Sequence, residues 1–217
     1  GYDHGFLKDE HAPVEHMKAG DPDWGGEAWH QPIDPTLWLK YSVVWYSQRI
    51  THAMGAQTLH AYLRKFDYGN MDASGDPGKN NGLDRSWITS SLKISPEEQV
   101  GFMRKIVNRQ LPVSAHTYEM VERAVQTWPV PGGWTVQGKT GTAGPGPGNT
   151  SPDGTWDQAH AYGWFVGWAK KGTGDDSRTY VFANLIQDNK VEPTSGGLRS
   201  RDALLARLPE VLALASR

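Results

Sequence analysis

From Leu37 to Phe66, and again between Val100 and Val125, the apolar residues recur at helical spacing, and from Trp134 to Gln187 they come in short β-branched and aromatic runs. Residues 1–35 hold Gly, Pro, Asp and Trp without a period, which predicts an ordered excursion carrying few regular elements. Leu37 to Phe66 reads as helix. Ile50, Met54, Leu59 and Leu63 fall at spacings of four and five, and Gly55 divides the stretch in two. Asp67 to Asp84 is polar and dense in turn residues (Gly69-Asn70, Gly75-Asp76-Pro77-Gly78, Asn80-Asn81-Gly82), so it predicts an insertion bulging onto the surface. Ser86 to Ser95 reads as a strand-like lead-in to a capped helix. There Ser95 is the N-cap, Pro96 takes the first helical position and Glu98 closes a capping box. Val100, Met103, Ile106 and Val107 form the expected buried stripe of that helix. Met120, Val121, Ala124 and Val125 form that of a second helix over Ala115–Gln126.

Three strands are predicted next, Trp134–Thr142, Ala161–Lys170 and Arg178–Gln187, followed by an amphipathic helix from about Leu198 to Ala215. Short connections between successive strands imply an antiparallel sheet with helices packing on it. The expectation is a single α/β (α+β) domain over residues 1–217, with no internal repeat and no linker long enough to split it.

Composition narrows the function classes. Lys+Arg 22 against Asp+Glu 24 leaves no charge excess to recruit nucleic acid or an anionic membrane. Without cysteine there are neither disulfides nor thiolate metal sites. No apolar run reaches membrane-spanning length, and no charged-then-apolar leader opens the chain. Gly1-Tyr2-Asp3-His4-Gly5-Phe6-Leu7 reads like the middle of a longer polypeptide.

Candidate chemistry concentrates at Lys139-Thr140-Gly141-Thr142, at the end of a predicted strand and before a Pro/Gly loop over Ala143–Gly154. A Lys-Thr-Gly triplet at the end of a strand sets an amine, a hydroxyl and a backbone that a ligand can approach closely side by side. A phosphate-binding reading fails on order, since Lys-Thr precedes the glycines and no helix begins there. His52 and His60 could share a helical face, but they lack the carboxylate or cysteine partners of a metal site. Asn149-Thr150-Ser151 matches a glycosylation triplet, a short pattern of little weight by itself. Ser42, where the long helix opens, has the bland alternative of a helix cap, Tyr68-Gly69-Asn70 that of a glycine turn, and Trp87 that of a core residue.

In order, Ser42-Val43-Val44, Tyr68-Gly69-Asn70, Trp87 shortly before Leu92-Lys93-Ile94-Ser95, Lys139-Thr140-Gly141, Gly163-Trp164-Phe165-Val166-Gly167-Trp168 and Leu198-Arg199 resemble the class D (oxacillinase) serine β-lactamases over almost the whole chain. The resemblance implies the penicillin-recognising serine β-lactamase/transpeptidase-like fold, with β-lactam antibiotics as substrates and a periplasmic or secreted bacterial location. It implies hydrolysis through a serine acyl-enzyme, with a lysine carboxylated by carbon dioxide as general base and no other cofactor and no metal. The family's Ser-x-x-Lys motif, which carries that serine and that lysine, has no counterpart at the matching place. It is expected upstream of Gly1, and the chain alone is expected to be inactive. Val44 would line the lysine's apolar pocket, and the Trp87 indole would hydrogen-bond the carbamate. Ser42, held by Lys139, would relay a proton to the leaving nitrogen. Thr140 and Arg199 would bind the substrate carboxylate, the arginine through a bidentate fork, with Gly141 giving close approach. The Thr142 N–H would serve as an oxyanion donor, and Trp29 would form one wall of the cleft. The sequence leaves a homodimer open. A β-lactam sensor domain that is acylated without turnover is the alternative. Val44 discriminates, because such sensors tend to carry a polar residue there. A penicillin-binding transpeptidase fits less well, since the Trp87 segment belongs to the carbamate machinery, and a non-catalytic remnant beginning at Gly1 is a third reading.

Overall fold

In the computed structural model, residues 1–145 and 157–215 are described. The helices in chain order are α1 (Glu27–His30), α2 (Pro35–Tyr41), α3 (Val44–Met54), α4 (Ala56–Phe66), α5 (Gly82–Arg85), α6 (Pro96–Val107), α7 (Ala115–Ala124) and α8 (Gly196–Ala215). The strands are β1 (Thr127–Val130), β2 (Trp134–Ala143), β3 (Tyr162–Lys171) and β4 (Arg178–Gln187). They fall into two compact units, one formed by Gly1–Trp87, Ser91–Lys93 and Arg109–Gln126, the other by Ile88–Ser90, Ile94–Asn108 and Thr127–Arg217.

The helical unit is built around α3. Asp34 caps α2 by accepting the Leu37 N–H at 2.7 Å, with Pro35 at the first helical position. Ser42 ends α2 in the left-handed region (φ 54, ψ 47), and Gly55 (φ 78) separates α3 from α4 as the sequence predicts. Leu7, Trp29, Ile33, Val43, Trp45, Tyr46 and Ile50 form the core. The aperiodic start is ordered by polar ties to α3. Arg49 donates to Glu15 (2.8 Å), Asp21 (2.6 Å) and the His16 carbonyl (2.8 Å), and its guanidinium lies 4.4 Å from the Trp45 ring centroid.

The polar insertion lies largely at the surface as expected, with residues 77–80 exposed, and it ends in α5, which is tied to α3. Gln48 Nε2 donates to the Asp84 carbonyl (3.2 Å) and Thr51 Oγ1 to that of Leu83 (2.6 Å). Residues 86–91 form turns rather than a strand-like lead-in, closed by Leu92 N–H donating to the Ser86 carbonyl at 2.9 Å.

The second unit is a four-stranded antiparallel sheet in the order β1-β2-β3-β4, flanked by α6 and α8. The capping box at Ser95 and Glu98 is present as predicted. Met103 and Gln99, rather than the whole predicted stripe, are the buried residues of α6. Val136, Phe165 and Ala169 alternate inward and pack with Leu208 and Leu212 of α8, the face that period-two strands present to a helix. Sequence reading missed β1, whose Pro129 breaks the alternation and whose four residues are too few to show a period.

Backbone meets backbone where α8 begins. A Cβ on Gly163 would stand 2.2 Å from the carbonyl of Gly196, and one on Gly197 would stand 2.6 Å from that of Gly141. By contrast, a Cβ on Gly101, inside α6, would meet nothing within 4 Å. Gly163→Ala should therefore destabilise the protein by about 1–3 kcal/mol through overpacking. Gly101→Ala should stabilise it by about 0.5–1 kcal/mol through helix propensity. Urea unfolding midpoints of the two variants should move in opposite directions.

Candidate active site

The helical unit carries Trp29, Ser42, Val44 and Trp87. Ser42 is exposed and does not cap α3. That position belongs to Val43, which makes no side-chain cap bond. A serine held in the left-handed region costs about 1–2 kcal/mol, so the cap reading gives way to a strained, accessible residue. Trp38 fixes its backbone, accepting N–H bonds at its carbonyl from Ser42 and from Val43 (3.1 Å). Trp29 is buried, and its indole N–H donates to the Tyr41 carbonyl at 2.9 Å, so it braces the residue before Ser42. The exposed indole beside it is Trp24, 6.4 Å away between ring centroids. Val44 is partly buried in the first turn of α3, against the core. Trp87 is partly buried in the turn that follows α5.

The sheet unit carries Lys139, Thr140, Gly141, Thr142 and Arg199. β2 is not an edge strand throughout, since β1 pairs with it from Trp134 to Gln137. Beyond that, Lys139 to Ala143 pair with β3 alone, so among the described residues the Lys-Thr-Gly stretch does lie on an open edge. Lys139 Nζ donates to the Thr140 carbonyl at 2.7 Å, and burial lowers its pKa from 10.5 to about 8. Thr142 Oγ1 accepts the Gly197 N–H at 2.9 Å, tying β2 to the first turn of α8 two residues before Arg199.

Arg199 is already engaged. Its Nη2 reaches both oxygens of the buried Asp188 carboxylate (2.7 and 2.6 Å), and its Nε donates to the Thr194 carbonyl at 2.9 Å. Asp188 thus occupies much of the expected fork, and Nη1 is the nitrogen without a bond among the described residues. Asp188 and the close backbone approach at Gly163, Gly196 and Gly197 are what sequence reading missed. The Gly196-Gly197 doublet before Leu198 was the available signal for that approach.

Ser90-Ser91-Leu92-Lys93 has the Ser-x-x-Lys spacing, but it is not helical, Ser90 is buried and Lys93 is exposed, so it does not form the expected motif. Among the described residues no group of three or more His, Asp or Glu could hold a metal ion, and no helix is long and apolar enough to cross a membrane. The Pro/Gly loop after Thr142 and the Asn149 triplet lie outside the described residues, apart from positions 143–145.

The family model of the penicillin binding protein transpeptidase domain matches residues 1–210. β-Lactamase OXA-9 of Klebsiella pneumoniae is 36% identical over 212 residues, covering 98% of this chain and 74% of the relative. The chain belongs to the class D β-lactamases. β-Lactamase OXA-1 of Escherichia coli is 39% identical over 165 residues, 76% of this chain and 55% of that protein. The crystal structure of the class D β-lactamase OXA-427 superposes with a TM-score of 0.85 at 43% identity, covering 98% of this chain and 84% of that one. Membership agrees with the antiparallel sheet and its flanking helices.

In this class D protein, the lowered Lys139 pKa makes stability depend on pH. A folded amine titrating near 8 against 10.5 when free binds fewer protons than the unfolded chain between those values. The burial penalty is therefore fully present below about 8 and disappears as pH rises toward 10.5. Lys139→Met should remove that alkaline gain, which unfolding midpoints measured across the window would show as a flatter profile.

Proposed function

We propose that this class D β-lactamase hydrolyses β-lactam antibiotics through a serine acyl-enzyme, in the periplasm or outside the cell. The observation that carries the reading is the open stretch Lys139 to Thr142. It combines an amine with a lowered pKa, a threonine beside it, and a side-chain bond into the turn that bears Arg199.

In acylation a serine hydroxyl from outside residues 1–217 adds to the lactam carbonyl. A C–O bond forms, the C–N bond breaks, and the proton ends on the departing nitrogen. Ser42 relays that proton, and Lys139 is a charged amine below about pH 8. Thr140 and the Nη1 edge of Arg199 hold the substrate carboxylate, with Asp188 fixing the guanidinium plane. Gly141 leaves the backbone approachable, and the Thr142 N–H is one oxyanion donor. Trp29 supports one wall of the cleft from beneath, through its bond to the Tyr41 carbonyl.

Deacylation uses water and a base. A lysine of the same outside segment, carboxylated by carbon dioxide, supplies that base when modified. The aliphatic Val44 keeps its surroundings apolar, which favours the neutral amine that carboxylation requires. The Trp87 indole N–H donates to the anionic carbamate, which would otherwise be unpaired in a dry site.

Intact-mass spectrometry of the whole enzyme after addition of a penicillin tests the reading. An adduct that appears and then decays is expected, whereas a persistent adduct would point to the sensor alternative and no adduct would sink both. Trp87→Ala should leave acylation measurable and slow deacylation about tenfold or more, with little rescue by bicarbonate. Equal loss of both steps in single-turnover kinetics would remove Trp87 from the carbamate role. Arg199→Ala should raise KM for penicillins with a free carboxylate by the equivalent of about 1.5–3 kcal/mol, and far less for their carboxyl esters. Equal effects on acid and ester would count against carboxylate recognition.

A further inference from the structure

Tyr68-Gly69-Asn70 has no part in the reaction just described, yet the Asn70 amide is among the most heavily bonded side chains of the helical unit. Its Oδ1 accepts the N–H of Lys93 (2.9 Å) and of Asp72 (3.3 Å), and its Nδ2 donates to the Ser91 carbonyl (2.8 Å). Its own N–H donates to the Lys93 carbonyl at 2.9 Å. Ser91 continues the network, since its hydroxyl donates to the Asp72 carbonyl (2.9 Å) and accepts the Gly75 N–H (2.9 Å). Asn70 thus grips residues 91–93 as a neighbouring strand would, from a single side chain.

What it grips is the closing side of the turn that bears Trp87. Leu92, between the two gripped residues, donates its N–H to the Ser86 carbonyl at 2.9 Å, and Trp87 is the next residue. The same turn contains Thr89 at φ 53, a β-branched residue in the left-handed region, which is disfavoured and persists only where neighbours hold it. Met71, on the other side of Asn70, has φ 57. A strained turn with an indole at its start would relax without a clamp, and Asn70 is the clamp.

We propose that Asn70 is a positioning residue for Trp87, setting how firmly the enzyme retains its carboxylated lysine. The proposal rests on the carbamate reading above. Asn70 touches no reacting atom. It acts by holding Ser91 and Lys93, and so the 86–92 turn, in the one arrangement that presents the indole N–H.

The test uses the whole enzyme and ¹³C-labelled bicarbonate, following the carbamate carbon resonance and the deacylation rate through a bicarbonate titration. Asn70→Ala should raise the bicarbonate concentration for half-maximal carbamate signal by about tenfold, the scale of a lost net hydrogen bond or two. Saturating bicarbonate should return deacylation to near the parent rate, because Trp87 is still present, and KM should stay unchanged. Asn70→Asp keeps an acceptor for Lys93 and Asp72 but loses the donor to Ser91. It should shift half-saturation the same way by less, and it covers the case in which the alanine variant folds poorly. An unchanged half-saturation in a folded variant, or a slow rate that bicarbonate does not restore, overturns the role of Asn70. A parent enzyme with no bicarbonate-dependent carbamate signal overturns the carbamate reading itself, and the Asn70 proposal with it.

Discussion

The sheet unit depends on how closely α8 can begin against β2 and β3. With side chains at 163, 196 or 197, the helix start would be pushed outward by atoms that have nowhere to move, because the obstructing groups are backbone. With glycine at all of them, the Gly197 N–H reaches Thr142 Oγ1 and the helix start is fixed along β2. Its rotation is fixed separately. Ser200 is fully buried, and its hydroxyl donates to the Asn184 carbonyl (3.0 Å) while the Asn184 amide donates back to it (2.9 Å). A helix set in both translation and rotation leaves Arg199, one residue before Ser200, a narrow range of directions. Asp188 narrows it further.

That arrangement also explains the balance of charge. A guanidinium beside a buried carboxylate is partly neutralised, so its contribution to anion binding is directional hydrogen bonding more than net field. Lys139 supplies the complementary property. Its burial opposes the ammonium and brings the pKa to about 8, so the charge is held close to its titration point instead of far below it. One cation is constrained in geometry, the other in protonation.

Much of this was legible in the sequence, for identifiable reasons. The capping box at Ser95, the break at Gly55 and the long strands β2, β3 and β4 follow from local rules that tertiary packing did not override. The misses are of another kind. β1 is too short and proline-containing to show a period, and the Ser86 to Ser91 turns depend on bonds from Ser91 and Asn70 to residues far away in sequence. Among the candidate residues, the motif positions could be named in advance, but not their partners. Asp188 in a polar loop, or Tyr41 as the acceptor of the Trp29 indole, carries no pattern that single-sequence reading could weigh. The bland alternative of Ser42 as the cap of α3 does not hold, because the chain leaves α2 through this left-handed residue and Val43 takes the N-cap position before α3.

Positive φ at Ser42 and at Thr89 places backbone strain at the first of these residues and in the turn that bears Trp87. Neither residue is glycine, so neither conformation is intrinsically easy. Each is held by groups outside it: the Trp38 carbonyl accepts from both Ser42 and Val43, and the Asn70 amide secures the far side of the Thr89 turn. Glycine at either position would relieve the strain while adding conformational freedom to the unfolded chain and to the segment itself. A β-branched or hydroxylated residue under external restraint is the stiffer solution. The polar insertion before Trp87 then has a physical reason to be ordered. It carries Asp72 and Gly75, which bind the Ser91 hydroxyl, and it ends in α5, whose bonds to Gln48 and Thr51 anchor it to α3. The turn is thereby braced from Asn70 on one side and from α3 on the other.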